Sequence, residues 1–88
     1  MSAVAASDTG VRAVVEVLAK ALADRPDDVR VTESQHKQVT LIELFVSPQD
    51  IAKVIGRQGR TAAALRTLAT TAGERDGKQV TLEIRESR

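Results

Sequence analysis

The stretch Ile51-Ala52-Lys53-Val54-Ile55-Gly56-Arg57-Gln58-Gly59-Arg60-Thr61 gathers the residue types that can hold a chain of phosphates. Glycines at 56 and 59 remove side chains where another backbone could approach, and they permit positive φ. A helix starting after Gly59 would direct its free N–H groups and partial positive charge at the same place. Lys53, Arg57, Arg60 and Arg66 are the only charged residues between 51 and 73, a local charge of +4 with no acid inside that span. The pattern is not a nucleotide P-loop. G-x-x-x-x-G-K-[ST] is absent, and the glycines join two helices, not a strand to a helix.

Other chemistry is sparse. His36 is the one histidine and lies in a polar stretch with no partner at metal-ligand spacing. Asp27 and Asp28 follow Pro26 at a strand entry and read as turn residues. Ser34, Ser47 and Thr61 have no base beside them, and Ser47 reads as a helix cap. No catalytic constellation, cofactor site or metal site is expected.

The 88 residues fit one small domain, and their net charge of +1 gives little long-range attraction for a polyanion. Thirteen of the apolar residues are alanine, leaving a thin core of mostly Val, Leu and Ile that a second subunit could help to cover. Phe45 is the only aromatic, which argues against sheets that stack bases on rows of rings. With no cysteine there is neither a disulfide framework nor a thiolate metal site, as suits the cytoplasm. Charge-free runs reach seven residues, too few to span a membrane, and the start lacks the basic and apolar regions of a signal peptide.

The elements that must carry the glycine segment are legible from periodicity. Residues 1–9 read as a loose tail. Val11, Val14, Val15, Leu18, Ala21 and Leu22 fall at helical spacing, with Asp8 or Thr9 as cap and Pro26 as stop. A strand at Val29–Thr32 is followed by a polar connection, Glu33–Gln38. Val39–Val46 is apolar at both parities, as in a central strand. Its second face, around Val39, Leu41 and Phe45, reads either as a lightly covered sheet surface or as a contact surface for another chain.

Ser47-Pro48-Gln49-Asp50 reads as a helix start, with Asp50 placed to favour the positive end of the dipole. A short helix then ends at Gly56, and an Ala-rich one runs over 60–72 with Gly73 as its stop. The last strand turns Val80, Leu82 and Ile84 inward. The order α-β-β-α-α-β predicts an α+β fold, a three-stranded sheet with three helices on one face.

Val54-Ile55-Gly56-Arg57-Gln58-Gly59 closely resembles the (I/V)-I-G-x-x-G loop of KH domains, and the element order resembles their type II form. The likeness extends over about residues 10–86, so that 10–88 would be a single KH domain. Asp50–Thr61 with Leu65-Arg66-Thr67-Leu68 is more narrowly similar to the KhpA family of small bacterial single-KH proteins.

The resemblance implies a single-stranded RNA-binding protein without enzymatic activity, in which such a loop clamps about four nucleotides. Carried onto this chain, Gly56, Arg57, Gln58 and Gly59 would hold phosphates, helped by Arg60 and Thr61. Lys53 would add charge, and Val54 and Ile55 would form a groove floor. It further implies a homodimer, a larger KH-containing partner, a global RNA chaperone or regulator role, and in some bacteria a link to cell shape and division. Ala62 departs from the large aliphatic residue common in KH domains and predicts a shallower groove. The competing expectation is an assembly module in which the fold mainly recruits a protein.

Overall fold

Heptad-like spacing at the start of the chain produces α1 (Val11–Leu22), whose outer side is laced by Arg12–Glu16 and Glu16–Lys20 ion pairs one turn apart. The Lys20 and Arg12 hydrogen bonds hold the Glu16 carboxyl below its ordinary range. The computed structural model describes residues 10–87, so the tail at 1–9 and the proposed caps Asp8 and Thr9 lie outside the described residues. Gly10 occupies the cap position. The buried row is Val11, Val15 and Ala19 with Ala13 beside it; Ala21 and Leu22, expected on that stripe, are exposed. Ala21 stands two residues, about 200°, past Ala19, so it turns away from the core once Ala19 faces it.

After α1, Pro26–Asp28 forms one tight turn, in which Asp27 and Asp28 are exposed. The chain then enters β1 (Arg30–His36), which pairs antiparallel with β2 (Val39–Val46). The polar stretch Glu33–His36 is therefore strand and not a connection. Only Lys37 and Gln38 form the turn, with Lys37 at φ 58°. β1 is an edge strand, so solvent covers most of its side chains and no apolar alternation marks it; Val31 alone is buried. His36 ends this strand, its Nε2 3.1 Å from Ser34 Oγ.

β2 is central, as its double apolar pattern requires, and pairs in parallel with β3 (Gln79–Glu86). Thr40, Ile42, Leu44 and Val46 are fully buried beneath the helices, while Val39, Leu41, Glu43 and Phe45 lie half-buried on the open face. There Arg30 sits 5.0 Å from the Phe45 ring centroid, and Arg85 bridges Glu43 and Glu83. The core joins Val11, Val15, Val31, Ile42, Leu44, Val54, Leu65 and Leu82, with the three α-helices of the described residues on one side of the sheet.

Between β2 and β3 run α2 (Ile51–Ile55) and α3 (Arg60–Arg75). Two local readings need correction. Ser47 makes no side-chain cap; its carbonyl accepts from the Asp50 amide at 2.8 Å. Gly73 does not stop α3, which continues to Arg75 and ends in a Schellman turn, with Gly77 N–H on Glu74 O and Lys78 N–H on Gly73 O. Gly73 is instead buried where the helix presses on β3: a Cβ there would lie 2.3 Å from Val80 Cγ2 and 3.2 Å from the Lys78 carbonyl. An alanine inside a helix ordinarily stabilises by about 1 kcal/mol over glycine. Here the clash reverses the sign, and Gly73→Ala is expected to cost about 1–3 kcal/mol in urea unfolding.

Candidate nucleic-acid interface

The site begins with a buried carboxylate. Asp50, only 1% exposed, accepts from the backbone amides of Asp24 and Arg25 at 3.0 Å each, one on each oxygen. These charge-assisted bonds tie the entry of α2 to the exit of α1, so the short helix is held from its first residue. Sequence reasoning saw only a helix-dipole acid there; nothing in the local pattern announces partners about 25 residues away.

From that anchor α2 makes little more than one turn before Gly56 ends it, with the Gly56 amide on Ala52 O at 2.8 Å. Gly56 takes φ 77°, Gln58 φ 56° and Gly59 φ 73°, so three of the four loop residues are left-handed. Both glycines are thus used for positive φ, as their types predict, but their surroundings differ. A Cβ on Gly56 would lie 2.2 Å from Thr61 Oγ1 and 2.9 Å from the Thr61 amide nitrogen. One on Gly59 would meet nothing within 4 Å. Gln58 holds its left-handed conformation without glycine's freedom, a local cost of about 1 kcal/mol.

The structure brings Gly56, Arg57, Gln58, Gly59, Arg60 and Thr61 into one reversal between α2 and α3, with Arg57, Gln58 and Arg60 exposed. Ile55 is half-buried next to it. Val54 is wholly buried in the core, so it packs beneath the loop and cannot line a surface groove. Ala62, also buried, continues that packing at the start of α3.

The local charge is smaller than the sequence suggests. Lys53 is ion-paired to Asp24, which the Asp50 anchor brings over α2, and this hydrogen bond raises the lysine's pKa. Arg66 lies farther along α3, its Nε donating to Leu82 O at 3.3 Å. Arg57 and Arg60 are thus the two loop cations without a side-chain partner among the described residues. A cavity of about 740 Å³ elsewhere is lined by three acids, Asp27, Asp28 and Glu86, against one cation, Arg30. Its acids repel phosphate, so its size does not make it the polyanion site.

A glycine reversal between two packed helices, over a sheet of order β1-β2-β3 with parallel β2 and β3, is matched by known proteins. The family model described as KhpA/KhpB, KH domain, matches residues 12–84. The chain belongs to this family. The KhpA-type relatives include the RNA-binding protein KhpA of Aquifex aeolicus, 52% identical over 73 residues, which cover 83% of this chain and 92% of that protein. The RNA-binding protein KhpA of Clostridium perfringens is 46% identical over 71 residues, covering 81% and 95%.

Among solved structures, Aquifex aeolicus Era bound to GDP and aluminium fluoride superposes with a TM-score of 0.63 at 19% identity, covering 88% of this chain and 30% of Era. Era in complex with MgGDPNP and nucleotides 1506–1542 of 16S ribosomal RNA gives 0.60 at 19% identity, covering 86% and 29%. At that identity the likeness is one of fold, and it agrees with the type II KH topology of this chain.

The two glycines generate a differential test. Gly56→Ala combines a steric clash with a left-handed φ and is expected to cost about 2–4 kcal/mol in chemical unfolding. Gly59→Ala adds only the backbone term, about 1 kcal/mol, and Gly59→Asn less.

Proposed function

We propose that this KH domain binds single-stranded RNA by clamping its sugar–phosphate backbone at Gly56–Gly59. The observation that carries this reading is the loop itself, with three left-handed residues, Gly56 pressed on Thr61, and Arg57 and Arg60 unpaired among the described residues. Such a surface offers a close backbone approach, the first amides of α3 and two exposed guanidinium donors to phosphate oxygens. The names of the KhpA relatives support RNA as the polyanion. Lys53, Val54, Ile55 and Thr61 belong to the site as charge reserve, support, floor and glycine stop respectively.

About four phosphates neutralised on a single strand would give a log–log salt slope near −3, or a loss of roughly 50-fold in affinity between 50 and 200 mM salt. One such module binds weakly, which favours action as a homodimer or alongside a larger KH-containing partner, where the second contact gains from effective concentration. Its place is then that of a cytoplasmic RNA chaperone or post-transcriptional regulator acting on many transcripts, with no enzymatic step of its own.

Fluorescence anisotropy with short labelled RNAs at several salt concentrations tests the clamp. Wild type is expected to bind with a slope of a few units. The double variant Arg57→Asp/Gln58→Asp, which keeps both glycines and an unchanged circular dichroism spectrum, is expected to lose binding. Equal binding by both proteins would place the RNA on another surface. If neither binds, recruitment of a protein becomes the better account of the fold.

A further inference from the structure

β3 is an edge strand, hydrogen-bonded on one side only, to β2. Its Leu82 carbonyl accepts from Arg66 Nε at 3.3 Å, so that carbonyl faces the free edge and α3 covers it with a guanidinium. In an extended strand a residue's N–H and C=O point to the same side, so the Leu82 amide lies on this edge as well. Arg66 has no acidic partner among the described residues, which leaves its terminal Nη groups available as donors.

Arg66 follows Gly59 by seven residues, two helical turns, and so falls on the same side of α3 as the loop's second glycine. One turn above it Ala63 is exposed and carries only a methyl group. The seam between α3 and β3 thus presents a small exposed side chain beside a guanidinium held on the strand edge, roughly 10 Å along the helix from Gly59.

We infer that Arg66 sets base preference in this seam, selecting guanine over adenine beside the clamped backbone. The inference rests on the RNA reading above. The two purines share N7 and differ at position 6, where guanine presents an acceptor oxygen and adenine an amino donor. Arg66, held by Nε on Leu82 O, offers Nη donors that match O6 and N7 of guanine together. Adenine brings its amino group against those donors. The strand-edge acceptor that could receive it, the Leu82 carbonyl, already accepts from Arg66 Nε, so the amino group would have to share it with the guanidinium.

The test uses the full chain and short labelled oligouridines carrying a single guanosine or a single adenosine at the same position, read by anisotropy. Wild type is expected to favour guanosine by roughly tenfold. Arg66→Ala is expected to bring the two affinities together, and Arg66→Gln to reverse the order, since a glutamine amide matches adenine N6 and N7. Equal affinities in wild type, or a guanosine preference that survives Arg66→Gln, would overturn the assignment while leaving the RNA reading intact. Absence of binding to every oligonucleotide would overturn both.

Discussion

The reversal between α2 and α3 depends on one missing carbon atom. A Cβ at position 56 would lie 2.2 Å from Thr61 Oγ1, and the same residue must also hold φ at 77°. Both demands are met by glycine and by no other residue, so the two helices can pack within a four-residue connection. With that contact in place, the first turn of α3 lies under the loop and its amides point at the space the loop encloses. Gln58 then sits in a left-handed conformation at the exposed crest, a strained position of the kind that persists where surrounding contacts over-determine it. The strain, the open side of Gly59 and the two arginines unpaired among the described residues coincide in one place.

The same architecture regulates how much charge that place carries. Asp50 draws the backbone of Asp24 and Arg25 onto α2, and this brings the Asp24 carboxylate to Lys53. The anchor that stabilises the short helix thus also offsets one of its cations. Because that ion pair is solvent-exposed, a polyanion can compete for Lys53 at small cost, and salt weakens both interactions together. A chain of net charge +1 can in this way concentrate its attraction on a small surface instead of presenting a broad basic face.

How far the sequence could be read depended on whether a residue's role is local. The apolar residues at both parities of Val39–Val46 mark the central strand because Ile42, Leu44 and Val46 face the helices and Leu41 and Phe45 the open side. The glycine loop was legible because positive φ is a property of the residue itself. The sequence pattern of β1 stops at Thr32 although the strand runs to His36, because an edge strand bathed in water leaves Glu33, Ser34 and Gln35 without periodic contrast. At Gly73 the sequence is ambiguous, because glycine serves both a helix end and a close helix–strand contact, and only the neighbouring Val80 decides between them. Asp50 and the Lys53–Asp24 pair were invisible for a different reason: their partners lie more than two dozen residues away, so no local window contains both members.

The most direct examination of the central claim is an amide chemical-shift titration of the protein with a short single-stranded RNA. The account requires the largest changes at Gly56–Ala62, with a second group at Leu82 and its neighbours on the free edge of β3. Changes concentrated instead on Thr32, Leu41, Glu43 and Arg85 of the open sheet face, with the loop amides unmoved, would contradict it.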